Sequence, residues 1–197
     1  MDAMEQGSML AEPFVSRGGM GTEQVLVVDD AMIEGTLSTP LGARAIIVIP
    51  HASSAGRFGP SSHFVSQVLQ QAGLATFQVD LLTPGEEAGL RSGKHGAQDT
   101  QLLVKRSLAV VEWLQSHPVT RTLAVGVFAS TTETIAASLT AERSTAIRAI
   151  VSEGGYPDMF DETLTSLPIP TLLIVGSDER ARAPELASEF FARHLLR

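Results

Sequence analysis

From about residue 23 onward, segments with the apolar pattern of a strand alternate with segments whose apolar residues recur with the period of a helix. Residues 45–49 are apolar at every position, which is typical of a strand buried on both faces of a parallel sheet. Residues 63–72 carry apolar side chains at helical spacing and are followed by Gly73, a common helix cap. The same criteria predict strands over 24–29, 32–38, 45–49, 74–82, 122–128, 146–152 and 170–175. They predict helices over 63–72, 99–116, 130–141, 157–164 and 183–196, with a long flexible loop over 83–98.

The order of these elements predicts the fold class. Strands separated by helices imply right-handed βαβ crossovers, and therefore an α/β fold with a mostly parallel sheet flanked by helices. The first two strands should be joined by a tight turn at Asp29 and Asp30. Residues 1–21 follow neither period and are expected to form a flexible tail, which leaves 22–197 as one domain.

Composition and charge narrow the function classes. The chain has 14 Lys and Arg against 22 Asp and Glu, a formal charge of −8, and its basic residues are scattered. Such a surface repels phosphates, so nucleic-acid binding is not expected. The absence of cysteine excludes disulfides, a thiolate nucleophile and a cysteine-ligated metal. Neither a secretory signal nor a run of about 20 apolar residues is found, so the expectation is a cytoplasmic protein without membrane contact.

Candidate chemistry is sought where strands lead into helices, because open α/β sheets bind ligands at the carboxyl ends of their strands. In Gly-Val-Phe-Ala-Ser-Thr-Thr (126–132), Ser130 lies between a predicted strand and a predicted helix. A serine on such a turn can act as a nucleophile, with the N–H of Thr131 stabilising an oxyanion. The usual pattern is Gly-x-Ser-x-Gly, and this sequence has Phe128 and Thr132 in place of its two glycines. The alternative, favoured for this segment taken alone, is that Ser130 only caps the helix.

Two other loops carry polar groups at corresponding places. The loop after strand 45–49 begins with His51 and Ala52, where many hydrolases have a His-Gly pair and place a second oxyanion N–H; it could equally be a plain polar loop. Asp178 follows strand 170–175 and could orient a catalytic histidine or cap the next helix. Together the segments run in the order oxyanion loop, serine, acid, which is the chain order of the α/β-hydrolase triad.

From residue 24 to its end, the sequence resembles the dienelactone-hydrolase-like branch of the α/β-hydrolase superfamily. The matching segments are Ile-Pro-His-Ala-Ser-Ser (49–54), Phe64 to Leu69, Ala-Gly-Leu-Ala-Thr (72–76), Val-Asp-Leu-Leu-Thr-Pro (79–84), Ala-Ser-Thr (129–131), Ser-Glu-Gly-Gly-Tyr-Pro-Asp (152–158) and Pro-Thr-Leu-Leu-Ile-Val-Gly (170–176). Members of this branch hydrolyse esters and lactones through an acyl-enzyme, without a metal or organic cofactor. The resemblance implies that Ser130 is the nucleophile and Asp178 the triad acid. It implies an oxyanion hole made by Thr131 and the backbone of Ala52 and Ser53, with His51 in the same loop.

The triad histidine is the main departure from this family. In the family it follows one further strand, beyond the helix at 183–196, so the sheet is expected to lack its last strand. His51 belongs to the oxyanion loop, and His95 lies in the 83–98 loop, from which it could swing over the site. The remaining three histidines, which lie at helix ends and are expected on the surface, are His63, His117 and His194.

Two functions of different classes remain. The first is a serine hydrolase that cleaves a small carboxylic ester or lactone through an acyl-enzyme on Ser130, with no cofactor or metal. The alternative is a catalytically impaired hydrolase-like domain that binds a small ligand or a protein partner; a homo-oligomer stays open in either case. A nucleotide-binding domain is disfavoured, because no Gly-x-Gly-x-x-Gly or Gly-x-x-x-x-Gly-Lys segment follows a strand.

Overall fold

A computed structural model describes residues 21–53, 56–91, 97–154 and 167–196. Three of the sequence predictions fall outside these residues: the tail up to residue 20, the helix over 157–164, and the position of His95. In the part that is described, no helix is long and apolar enough to cross a membrane.

The described residues form seven strands and six α-helices. The strands are β1 (Thr22–Val28), β2 (Ala31–Ser38), β3 (Ala45–His51), β4 (Ala75–Asp80), β5 (Ala124–Ser130), β6 (Ile147–Glu153) and β7 (Thr171–Ile174). The helices are α1 (Pro60–Gln71), α2 (Pro84–Arg91), α3 (Ala97–Ser116), α4 (Thr131–Arg143), α5 (Ser177–Arg180) and α6 (Ala183–Leu195), with a 3₁₀ turn at Gly56–Phe58.

The strands form one seven-stranded sheet in the order β1-β2-β4-β3-β5-β6-β7. Strands β3 to β7 pair in parallel, while β1 and β2 form an antiparallel hairpin whose second strand pairs antiparallel with β4. The hairpin turns at Asp29, whose φ of 54° is a conformation that aspartate tolerates better than most residues. The prediction of an α/β fold with a mostly parallel sheet is confirmed.

Both faces of the sheet are covered by helices, as the apolar run at 45–49 predicted. Ile46 and Val48 belong to a core that includes buried residues of α3 and α4. Ile47 and Ile49 point into a second core with α1 and α6. At Gly126 a Cβ atom would lie 2.8 Å from the Phe191 ring, so a glycine at this position lets α6 pack directly against β5.

The region predicted as a loop over 83–98 contains helix α2, so that prediction is wrong for residues 84–91. The helix begins with a capping box, because the Thr83 N–H donates to Glu86 Oε2 at 2.8 Å and the Glu86 N–H to Thr83 Oγ1 at 3.4 Å. Buried Arg106 of α3 then holds the Glu86 carboxylate with both terminal nitrogens, at 2.7 and 2.6 Å. The short α5 was also not predicted as a separate helix.

Candidate active site

The carboxyl ends of β3 to β7 meet along one edge of the sheet, called the carboxyl edge here. Strand β3 ends at His51, which is paired in register with Asp80 at the end of β4. Strand β5 ends at Ser130, which is paired with Glu153 at the end of β6. Asp178 lies in α5, directly after β7, and so belongs to the same edge. The structure therefore brings the predicted site segments to one edge, as expected for loops that follow parallel strands.

Ser130 is the last residue of β5 and the residue before the first turn of α4. It is exposed, and its hydroxyl makes no hydrogen bond to the helix backbone. Instead, Ser130 Oγ donates to the carboxylate of Glu133, one turn further along α4. Its backbone is extended, with φ −83° and ψ 178°, whereas the usual nucleophile elbow is strained.

The turn that carries Ser130 is fixed to the neighbouring strand. Thr134 Oγ1 donates to the Ser130 carbonyl at 2.7 Å and is also 2.8 Å from Ser152 Oγ of β6. Thr134 and Ser152 are both fully buried, so these bonds are shielded from water. The position of the Ser130 backbone is therefore set by packed structure rather than by a surface loop.

Glu133 connects the serine to the loop that follows β3. Its Oε2 accepts the Ser130 hydroxyl, and its Oε1 accepts the Ala52 N–H at 2.8 Å. Only 8% of Glu133 is exposed, although Ser130 beside it is open to solvent. Sequence reasoning missed this residue, although the Ser-x-x-Glu spacing (130–133) is visible as a pattern that places both side chains on one helical turn.

His51 lies at the carboxyl edge, but its ring is engaged elsewhere. Its Nε2 is 2.9 Å from Ser62 Oγ, and Ser62 also accepts a hydrogen bond of 2.6 Å from Gln78. Burial lowers the pKa of His51, against the charges of Asp80 and Glu133, which act to raise it. Burial thus disfavours the charged imidazolium, and the ring is engaged with Ser62.

An ion cluster lies under the loop that begins at His51. Buried Arg57 contacts the carboxylates of Asp80, Glu34 and Glu23, the latter two at 2.7 and 3.5 Å. Its backbone N–H also donates to Asp80 Oδ1 at 3.0 Å. The loop turns closely here, since a Cβ atom on Gly56 would lie 2.7 Å from the Cβ of His51. The cluster thus ties Arg57, which follows this loop, to the end of β4 and to both strands of the β1–β2 hairpin.

The acids near Ser130 differ in burial. Asp178 is exposed and accepts a hydrogen bond of 3.4 Å from Ser177 Oγ. The strand that leads to it, β7, is separated from β5 by β6, which is two strand spacings or about 10 Å. Glu153, which sequence reasoning did not single out, is half-buried between them, and burial raises the pKa of its carboxyl while Arg180 acts to lower it.

The remaining described histidines lie away from this site. Leu196, just after α6, accepts a hydrogen bond from Arg44, which precedes β3, so His194 near the end of α6 is at the opposite edge of the sheet. The His117 ring packs at a tilt against Trp113 ahead of β5 and is partly exposed, and His63 is exposed on α1. Among the described residues, no histidine is hydrogen-bonded to Ser130 or Asp178. Nor does any group of three His, Asp or Glu in those ranges form a metal site.

Comparison with known proteins gives relatives in sequence and in structure. No family model matches the chain. Two proteins of Mycobacterium tuberculosis, from strains CDC 1551 and H37Rv, are named provisionally as phosphoribosyl transferases and are each 38% identical over 160 residues. The match covers 80% of this chain but 35% of theirs, so the chain spans about a third of the length of these relatives.

Similar solved structures are hydrolases by name. A dienelactone hydrolase from Anabaena variabilis is 30% identical, with a TM-score of 0.75 over 90% of this chain and 100% of that one. A cold-adapted esterase from an Arctic intertidal metagenomic library has a TM-score of 0.69 at 10% identity, over 98% of this chain and 100% of its own. An esterase from Pyrococcus furiosus has a TM-score of 0.66 at 13% identity, over 88% and 92%. The latter two share the fold.

Proposed function

This chain belongs to the dienelactone-hydrolase-like branch of the α/β-hydrolase superfamily, and from that premise we propose that it is a serine hydrolase of carboxylic esters or lactones. The reaction proceeds through an acyl-enzyme on Ser130. Attack by Ser130 Oγ on the ester carbonyl produces an oxyanion, which the Thr131 N–H and the backbone after His51 stabilise. Expulsion of the alcohol leaves the acyl-enzyme, which water then hydrolyses.

The observation that carries this proposal is the state of the Ser130 hydroxyl. It is exposed at the carboxyl edge and does not cap α4, although Ser130 occupies the capping position. Its proton is directed at the carboxylate of Glu133, an acceptor in hydrogen-bond reach. A hydroxyl with an acceptor on one side and solvent on the other is arranged as a nucleophile, not as a helix cap.

The acid of the triad stays a prediction. Asp178 lies at the carboxyl edge, but β6 separates it from Ser130, so a histidine between the two would be needed to complete the triad. The described histidines do not supply this contact. The proposal therefore rests on Ser130 and the neighbouring backbone N–H groups, with Asp178 as a further site residue to be tested.

A binding function without catalysis is the second candidate. It is favoured by the unstrained backbone of Ser130, whose φ of −83° differs from the strained elbow of the α/β hydrolases. The phosphoribosyl transferase name of the Mycobacterium tuberculosis relatives is not extended to this chain. About two thirds of those proteins lie outside the match, and an acidic chain of charge −8 is poorly suited to a phosphorylated substrate.

Hydrolysis of p-nitrophenyl acetate tests the proposed function. We expect the wild-type chain to release p-nitrophenol and the Ser130→Ala variant to do so at least about 100-fold more slowly, since removal of a catalytic serine costs orders of magnitude in turnover. Ser116→Ala is the matched control, because Ser116 is the exposed last residue of α3 and its hydroxyl donates to the Trp113 carbonyl. Equal rates for wild type and Ser130→Ala would favour the binding function instead.

A further inference from the structure

We propose that Glu133 is the general base that takes the proton of Ser130. This inference rests on the proposed function and deepens it, because it names the base that the described histidines do not supply. The nucleophile, the base and a group that orients the base are then Ser130, Glu133 and the Ala52 N–H. Such an arrangement of three groups is the general pattern by which a weak hydroxyl nucleophile is activated.

The local sequence places the first two groups together. Ser130 and Glu133 are three residues apart at the start of α4, and side chains at this spacing lie on the same face of a helix. Ser130 Oγ donates to Glu133 Oε2, which is the direction of proton transfer that the reaction requires. Hydrogen-bond contact between base and nucleophile is the first geometric requirement for a general base.

The third group fixes the carboxylate in this orientation. Glu133 Oε1 accepts the Ala52 N–H at 2.8 Å, and Ala52 lies on the loop tied down by the Arg57 cluster. The Glu133 carboxylate is therefore held by two hydrogen bonds, one from the Ser130 hydroxyl and one from the Ala52 N–H in the loop after β3. The orienting role is the one that the triad acid has toward histidine, where the second partner sets the geometry of the base.

Burial separates the base from the path of the substrate. Glu133 is buried while Ser130 is exposed, so an ester approaching from solvent meets the hydroxyl with the carboxylate behind it. Because Ala52 is engaged with Glu133, the oxyanion is left to the Thr131 and Ser53 N–H groups. The base thus need not leave its place for the substrate to bind.

The proton and electron pairs balance without any further reactant. Ser130 Oγ forms a bond to the ester carbonyl carbon, its proton passes to Glu133 Oε2, and the carbonyl π pair moves to oxygen. When the tetrahedral intermediate collapses, the C–O bond to the alcohol breaks and the leaving oxygen takes the proton from Glu133. Water then attacks the acyl-enzyme, with Glu133 accepting its proton and returning a proton to Ser130 Oγ.

The test compares ester hydrolysis by the wild-type chain, Glu133→Gln and Glu133→Ala. Glutamine has nearly the same shape as glutamate but cannot take the proton, so kcat/KM should fall about 10²- to 10⁴-fold. Glu142→Gln is the matched control, because Glu142 is an exposed glutamate of the same helix.

Adding formate to Glu133→Ala should restore turnover in a saturable way, because formate can occupy the vacated volume and act as the base. A purely structural role of Glu133 would not respond to formate, and circular dichroism establishes that each variant is folded.

The outcomes separate this inference from the function on which it rests. Activity that Ser130→Ala abolishes, but that Glu133→Gln leaves unchanged or increases, would overturn the base while leaving the serine hydrolase standing. Loss of activity in a folded Glu133→Ala variant without rescue by formate would also overturn it. Turnover that survives in Ser130→Ala would refute the proposed function itself. If Glu133→Ala does not fold, the activities of the folded Glu133→Gln and Glu142→Gln variants decide whether Glu133 is the base. The inference then requires a loss of activity in Glu133→Gln and none in Glu142→Gln.

Discussion

Replacing Asp80 with asparagine removes the buried carboxylate that pairs with Arg57 beneath the carboxyl edge. Asp80 and Arg57 are 2% and 4% exposed, and Asp80 holds both the side chain and the backbone N–H of Arg57. Breaking a buried ion pair by removing one partner typically costs about 3–5 kcal/mol, because the other charge stays buried. Arg57 keeps Glu34 at 2.7 Å as a partner, so we expect the lower end, about 3 kcal/mol.

Urea unfolding of wild type and Asp80→Asn measures this loss, which should correspond to a fall of about 6–12 °C in Tm for a chain of this size. Asp29→Asn is the matched control, because Asp29 pairs with Lys105 at 2.5 Å while both side chains are 58% exposed. An exposed pair contributes less than about 1 kcal/mol, and asparagine tolerates the positive φ at this position. Losses of the same small size at both positions would refute the reasoning that the buried cluster anchors the loop after β3.

Three further predictions concern packing and titration. Gly126→Ala should cost about 1–3 kcal/mol in urea unfolding, because its Cβ would lie 2.8 Å from the ring of Phe191, whereas Gly85→Ala meets no atom within 4 Å and should cost nothing. The Arg106 contact lowers the pKa of Glu86 to about 2. The stability that this contact adds is therefore complete above the unfolded pKa of 4.5 and lost as the pH falls through about 2. The difference in unfolding free energy between wild type and Glu86→Gln should shrink over that range, and a constant difference would contradict the assignment. Because burial lowers the pKa of His51, its NMR titration should have a midpoint below 6.5. The wild type should also lose stability below pH 6.5 more steeply than His51→Gln. A titration midpoint above 6.5 would contradict this prediction.

The parallel sheet could be predicted from the sequence because its strands are continuous apolar runs. Residues 45–49 alternate between two cores, which only a strand covered on both faces does. Helix α2 could not be predicted in the same way, since the Glu86 carboxylate in its first turn is held by Arg106, which is 20 residues away in the chain. The Thr-x-x-Glu pattern (83–86) is typical of a capping box, but it is short, and Pro84 and Gly85 within it are equally typical of turns.

The position of the candidate site could be predicted, but not its contacts. Ser130 follows a buried strand directly, and this local feature was enough to place it at the carboxyl edge. The role of Glu133 depends on Ala52, which is 81 residues away, and Glu153 is paired with Ser130 and Ile174 of the strands beside β6. Local spacing contains neither contact, since both arise from the way the strands are ordered in the sheet.

An acyl group on Ser130 is the most direct sign of the proposed chemistry. The wild-type chain is quenched with acid during turnover of p-nitrophenyl acetate and digested with trypsin, which cleaves after Arg121 and Arg143. Fragmentation of peptide 122–143 by mass spectrometry distinguishes Ser130 from Ser138 in the same peptide. We predict one acetyl group on Ser130 in the wild type and none on this peptide in Ser130→Ala. Release of p-nitrophenol with no acyl group on Ser130, or with the acyl group on another residue, would contradict the proposal.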